Sequence, residues 1–333
     1  MTTHPRFPPC TDNPSTVLIL GARGRLGLAA ARAFAQAGWQ VLAQVRPGAR
    51  GPALPAIAGV WWMPVAVEDT AALAAQAQGA QVVVHALNPA YTHKAWREEA
   101  PALMEAAIAV TRQLRATLML PGNVYNFGES MPPVLHEDTP QAATGFKGRM
   151  RVQLELRLQA ATQGGDMRAV VLRAGDFFGS GTGSWLDQAI AKDLPRGRIT
   201  WPGPLDVATP WAYLPDLGRA FEKLAWHRGE FGAFENVLFA GNFVTPVVMA
   251  GAIQRAAPTP LKVSYFPRFV FSMMGLVNPI MREVARMGYL WDHPMELADA
   301  RLDAILGEGF ATPFEQAVGT AIAELLPQQA RAA

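Results

Sequence analysis

The run Val17-Leu-Ile-Leu20 is short and aliphatic and stops at Gly21. Beyond it, apolar residues return at helical spacing from Leu26 to Ala37 and stop again at Gly38. A brief apolar run closed by glycine reads as a buried strand and the spacing after it as a helix, so the chain opens strand, turn, helix. The alternation continues, with strands expected over 40–45, 60–65, 81–86, 116–120 and 168–172, and helices over 70–78, 100–115 and 147–162. Strands alternating with helices imply right-handed crossovers and an α/β fold, a doubly wound parallel sheet covered on both faces. After Arg173 the alternation fades. Residues 179–183 are a glycine and serine loop, 196–210 read as loop with Pro202 and Pro204, and 235–239 read as one more strand. The methionine-rich stretch 266–291, broken by Pro267 and Pro279, is assigned to a smaller, mostly helical C-terminal lobe. Its Arg268, Arg282 and Arg286 among aromatics leave a membrane-surface helix as the alternative.

Composition narrows the field. The 333 residues suffice for one or two domains with a full core, and at 50% hydrophobic and 17% charged the chain is too apolar for disorder and too polar for several membrane spans. A net charge of +2 leaves no cationic excess for a phosphate backbone, so nucleic acid is not expected as a partner. The single cysteine, Cys10, excludes an internal disulfide and is expected to be inert; six scattered histidines form no spaced metal-ligand set. A reducing cytoplasm fits. The proline-rich start, 1–14, has no basic segment followed by an apolar run and is expected to be a loose arm rather than a signal peptide. Arg23, Arg25 and Arg32 interrupt 17–37, short of the roughly 18 apolar residues of a membrane span.

Gly21-Ala-Arg-Gly24-Arg-Leu-Gly27 places glycines three apart between the first strand and the first helix. There the first glycine permits the tight turn, the second lets backbone approach a pyrophosphate, and the third lets helix and strand pack closely. Free N–H groups at the helix start then face the phosphates. Gly21, Arg23, Gly24, Arg25, Leu26 and Gly27 are therefore candidate nucleotide-binding residues. At the end of the second strand, where a carboxylate would take a ribose 2′-OH, stands Gln44-Val45-Arg46-Pro47. Arg46 can hold a 2′-phosphate through paired charged hydrogen bonds, with Arg23 and Arg50 as alternatives. NADP is favoured, and NAD remains open.

These residues resemble the extended short-chain dehydrogenase/reductase superfamily, which includes NAD-dependent epimerases and dehydratases and the atypical NmrA-like proteins. The resemblance runs from Val17 to about Val237. His85-Ala86-Leu87-Asn88-Pro89 looks like the segment that passes beneath the nicotinamide ribose, which implies cofactor contacts for Ala86 and Asn88. Gly122-Asn-Val-Tyr125-Asn-Phe-Gly128 is similar to the VYG signature, Leu172 to Gly179 resembles the LRxxNVYG stretch, and Trp211 to Asp216 resembles a later aspartate-bearing segment. By this likeness Asn123, Asp176 and Phe178 line a substrate pocket, Asp216 holds a loop, and Arg173 pairs within the fold.

The departures lie at the chemistry. The family's proton-transfer pair, Tyr-x-x-x-Lys, occurs nowhere; its positions fall on Lys147 and Arg151. The family's serine or threonine falls on Pro121, and the aspartate that meets adenine falls near Ala66. Two cations one turn apart repel, and Arg151 cannot give up its proton, so the strain falls on Lys147 and equips it to donate or accept a proton. The alternative is a solvated helix start that only hydrogen-bonds ribose. Tyr125 is a substitute phenol or a pocket residue, and His85 a core histidine or a general base. Expected boundaries are 15–180 with 206–241 for a Rossmann domain and 181–205 with 242–325 for a substrate-capping lobe, with 1–14 and 326–333 as flexible ends. Two functions follow. One is an NADP-dependent oxidoreductase or epimerase-like enzyme on a small organic substrate; the other is a non-catalytic NAD(P)-binding sensor or assembly protein. A homodimer is left open.

Overall fold

The computed structural model describes residues 15–48, 53–90, 92–266, 273, 276, 282 and 285–332. Cys10, Arg50, Pro267, Arg268 and Pro279 lie outside the described residues. Seven strands form the central sheet: β1 (Thr16–Leu20), β2 (Gln40–Val45), β3 (Val60–Pro64), β4 (Val82–His85), β5 (Thr117–Gly122), β6 (Arg168–Arg173) and β7 (Phe234–Leu238). They run parallel in the spatial order β3-β2-β1-β4-β5-β6-β7. Val17 to Leu20 and Val82 to Val84 are fully buried, as strands covered on both faces require. The order reverses between β1 and β4, which opens a crevice beyond their C-terminal ends.

Nine helices lie among the described residues: α1 (Arg25–Gln36), α2 (Thr70–Gln76), α3 (His93–Glu98), α4 (Ala100–Leu114), α5 (Phe146–Thr162), α6 (Leu214–Trp226), α7 (Pro246–Ala256), α8 (Ala300–Leu306) and α9 (Phe314–Ala332). α1 and α6 cover one face of the sheet over a core that includes Phe34, Trp39, Phe221 and Leu224. They touch closely at Gly218, where a Cβ would stand 2.8 Å from the Ala29 carbonyl oxygen. α2, α4 and α5 cover the other face over Leu73, Met104, Leu118 and Leu158. Fully burying one such leucine or phenylalanine contributes about 1.5–3 kcal/mol, so these two cores carry the sheet.

The rest of the chain builds a third core from α7, α9 and short strands. The strand Thr209–Tyr213 pairs with Asp176–Phe178 in parallel and with Asn242–Val244 in antiparallel fashion, and Arg198–Pro202 pairs with Lys262–Phe266. The loop expected over 196–210 is thereby corrected, because Ile199, Trp201 and Trp211 turn into this core. Pro202, Pro204 and Pro210 mask the strand pattern in the sequence.

Candidate functional site

The crevice at the sheet's reversal is built by the residues between β1 and α1. Gly21 has φ +76°, and a Cβ there would meet the Ala86 carbonyl oxygen at 3.0 Å. A Cβ on Gly27 would come within 2.5 Å of the Gly21 carbonyl oxygen and 2.8 Å of Ala22 Cα. Gly24 is exposed and caps α1 with no side-chain hydrogen bond, so the first N–H groups of the helix stay open to an anion. A side chain not anticipated from the sequence fixes this loop. Buried Gln44 accepts from Gly21 N at 2.9 Å and donates to Val65 O at 2.7 Å, tying the turn to the ends of β2 and β3.

Around this loop the candidate residues divide. Arg46 is exposed just past β2, Arg23 and Leu26 are half-buried, and Asn88 is exposed beyond β4 beside half-buried Ala86. The Arg25 side chain turns away from the helix start, donating to the carbonyls of Gly179 and Ser180. This leaves the backbone N–H of Arg25 at the helix start. Asp187 and Glu324 are the carboxylates that act on that guanidinium, against the burial that lowers its proton affinity.

The second wall comes from β5 and α5. Lys147 is 2% exposed at the start of α5, and one turn on the Arg151 guanidinium donates to Pro121 O at 3.4 Å and lies 4.9 Å over the Trp96 ring. The Pro121 carbonyl thus faces Arg151, and its ring supplies no hydroxyl. Gly148 brings the helix against the turn Val124–Phe127, since a Cβ there would run into the Tyr125 carbonyl. Leu156 of α5 is 58% exposed, and the buried stripe of the helix carries Lys147, Leu154, Glu155, Leu158 and Thr162.

Glu155 anchors a buried polar network. It receives Arg173 at 2.7 Å and the Gln141 amide at 3.1 Å, while Gln141 accepts from Asn126 at 3.0 Å. Arg173 also donates to Asn123 O at 2.6 Å and stacks over Phe127. Asn123 in turn caps the turn through its side chain, accepting from Tyr125 N at 3.0 Å. The turn that presents half-buried Tyr125 is therefore held from β6 and α5 at once. Asp216 accepts from Thr312 N and Oγ1 at 2.8 and 2.7 Å and pairs with Arg219 at 2.9 Å, fastening the segment before α9.

Two titratable groups stand out. His85, at the end of β4, is 5% exposed with no hydrogen-bond partner at Nδ1, and burial, followed by the charge of Arg151, lowers it to about 4. Burial pushes the Asp176 carboxyl up to about 6. Phe178, expected to touch a substrate, is fully buried against Tyr213 and Trp211 at ring distances of 5.2 and 6.4 Å, on the same face of its strand as Asp176. Among the described residues no cluster of three metal-ligating side chains occurs, and no helix is long and apolar enough to cross a membrane.

The model of the NAD dependent epimerase/dehydratase family matches residues 17–234, the stretch that carries the loop, both walls and the polar network. The chain belongs to this family. Among solved structures it is similar to a putative epimerase from Burkholderia cenocepacia, 21% identical over 93% of this chain and 97% of that one, with a TM-score of 0.73. It is also similar to the Bordetella bronchiseptica enzyme WbmH in complex with NAD+, 16% identical over 94% and 98% of the two chains with a TM-score of 0.72. A third is the UDP-glucose-4-epimerase from Stenotrophomonas maltophila with bound NAD and formylated UDP-arabinopyranose, 14% identical over 96% and 100% with a TM-score of 0.73. No curated protein matches the sequence. In this epimerase/dehydratase chain the loop fits a pyrophosphate: a left-handed glycine, an exposed glycine and an uncapped helix start.

Proposed function

We propose that this member of the epimerase/dehydratase family binds NADP(H) in the crevice between β1 and β4 and is an oxidoreductase or epimerase-like enzyme on a small organic substrate. The observation that carries the reading is the uncapped start of α1 behind exposed Gly24. Gly21, Gly24, Leu26 and Gly27, with the backbone N–H of Arg25, hold the pyrophosphate. Arg46, helped by Arg23, takes the 2′-phosphate, and Ala86 and Asn88 pass beneath the nicotinamide ribose. A bound nicotinamide supplies or accepts hydride. Lys147 and Arg151 face the ribose from α5. Lys147 Nζ moves a proton to or from the reacting oxygen in place of the family's tyrosine. Tyr125, Asn123 and Asp176 border the substrate, and the lobe of 181–205 and 242–325 covers it.

NADPH oxidation is followed over a panel of carbonyl compounds with the wild type and with Lys147→Met and Arg151→Met, and NADPH affinity is measured separately. Lys147→Met is expected to lower turnover about 10²–10⁴-fold at unchanged affinity. A loss of affinity alone makes Lys147 a cofactor clamp, and no change in either quantity overturns its placement. Pro121 at the hydroxyl position favours the sensor reading, for which NADPH binds and no substrate in the panel is turned over.

A further inference from the structure

The start of α5 runs against the helix dipole. A helix N-terminus carries partial positive charge, which favours carboxylates in the first turn and cations in the last. α5 has no acidic residue in its first turn and no side-chain cap at Gly145, yet Lys147, Arg149 and Arg151 crowd its beginning. Cations that served only to solvate the helix would gain by standing toward its C-terminal end.

α3 brings more positive charge to the same place. The His93 ring lies 4.4 Å from the ring of Phe146, the first residue of α5, and the Arg97 guanidinium stands 5.4 Å over that same ring. Arg151 reaches back over Trp96 of α3 at 4.9 Å, so the two helices are mounted on one another. Lys94, one turn before Arg97, is exposed, as are Arg97 and Arg149, and none of the three pairs with a carboxylate among the described residues. Arg97 donates no hydrogen bond there and Arg149 only one, to the Thr144 carbonyl, so both guanidiniums keep N–H forks for an oxyanion. The carboxylates of these segments are Glu98 and Glu99, which close α3, and Glu129, which meets Thr144 Oγ1 at 3.5 Å; the cations outnumber them. The patch borders the candidate site, since Lys147 is buried in the same turn as Arg149 and Gly148 between them packs against the Tyr125 carbonyl.

We propose that the junction of α3 and α5 binds an anionic group of the substrate, a carboxylate or a phosphate ester, with Arg97 and Arg149 as the residues that select it. The inference rests on the function proposed above and names its substrate class. The anion stays at this patch, where it supplies the negative charge that the start of α5 lacks, and the uncharged end of the molecule extends toward Lys147 and Tyr125.

The test is calorimetric titration of the NADPH-saturated protein with benzoate, phenyl phosphate and the neutral benzyl alcohol. Saturation fills the loop before α1, which would otherwise take the anions as well. At least one anion is expected to bind at least tenfold more tightly than benzyl alcohol and to lose about fivefold or more in Arg97→Met and in Arg149→Met, with part of the loss recovered in Arg97→Lys and Arg149→Lys. NADPH affinity should stay within twofold in all four variants, which separates loss of the anion from loss of the fold. Binding of benzoate alone assigns a carboxylate, and of phenyl phosphate alone a phosphate ester. Absence of anion binding, anion binding no tighter than that of benzyl alcohol, or equal anion affinity in the wild type and both methionine variants overturns the inference. If the protein takes no NADPH, the function proposed above fails, while anion binding that still depends on Arg97 and Arg149 leaves this site standing.

Discussion

A Cβ at Gly24 would stand 3.3 Å from the Gly21 carbonyl oxygen, a tight contact that a shift of a few tenths of an ångström relieves. The φ of −67° and ψ of 160° there suit any residue. Gly24→Val is therefore expected to unfold at nearly the wild-type denaturant midpoint yet lose NADPH binding. Gly27→Ala differs, because its methyl meets backbone at 2.5 Å; overpacking of that kind costs about 1–3 kcal/mol, visible as a lower midpoint. His85 and Asp176 make opposite contributions to stability against pH. Neutral in the fold at about 4 and charged in the unfolded chain below 6.5, His85 costs stability as pH falls through that window, about 3 kcal/mol in full. Asp176, raised from 3.8 to about 6, adds stability as pH falls through 6. Urea unfolding between pH 7.5 and 4.5 is expected to show His85→Gln gaining stability on acidification and Asp176→Asn losing more than wild type. Equal slopes in all three proteins would contradict these placements. The glycine turn between β1 and α1 was legible in the sequence because its spacing is local. Gln44 was not, since its role comes from reaching across the ends of two neighbouring strands, which no spacing along the chain reveals.

At the scale of elements, α5 departs most from a simple amphipathic pattern. Its buried stripe bears Lys147 and Glu155, so hydrophobicity alone points to the wrong face, as the exposure of Leu156 shows. The helix was still legible from its length and good helix formers, and its observed bounds, Phe146–Thr162, extend the expected ones by one residue. What the pattern could not show is that Glu155 is spoken for by Arg173 from β6, with both side chains almost fully buried. Removing one member of such a pair strands the other charge, a loss of about 3–5 kcal/mol. Glu155→Ala should thus be far less stable than wild type by chemical denaturation, and Glu155→Leu combined with Arg173→Met should recover part of the loss. If the double variant is as unstable as the sum of the singles, the pair is not the coupling described.

For the whole molecule, the sheet was legible and the third core was not. Parallel strands buried on both faces are continuous apolar runs set apart by helices, and β1 through β7 lie within a residue or two of their expected positions. Its strands are short and proline-rich, and they pair with partners far away in sequence, such as Arg198–Pro202 with Lys262–Phe266. Its tryptophans carry no signal along the chain until folding gathers them. The order of the main sheet places the reversal, and with it the crevice, between β1 and β4, so the account stands on what occupies that crevice. Calorimetric titration of NADPH and NADH against the wild type, Arg46→Glu and Gly24→Val tests it most directly. NADPH should bind more tightly than NADH, Arg46→Glu should abolish that preference while sparing NADH, and Gly24→Val should bind neither. Equal affinities in the wild type, or full NADPH affinity in Gly24→Val, would contradict it.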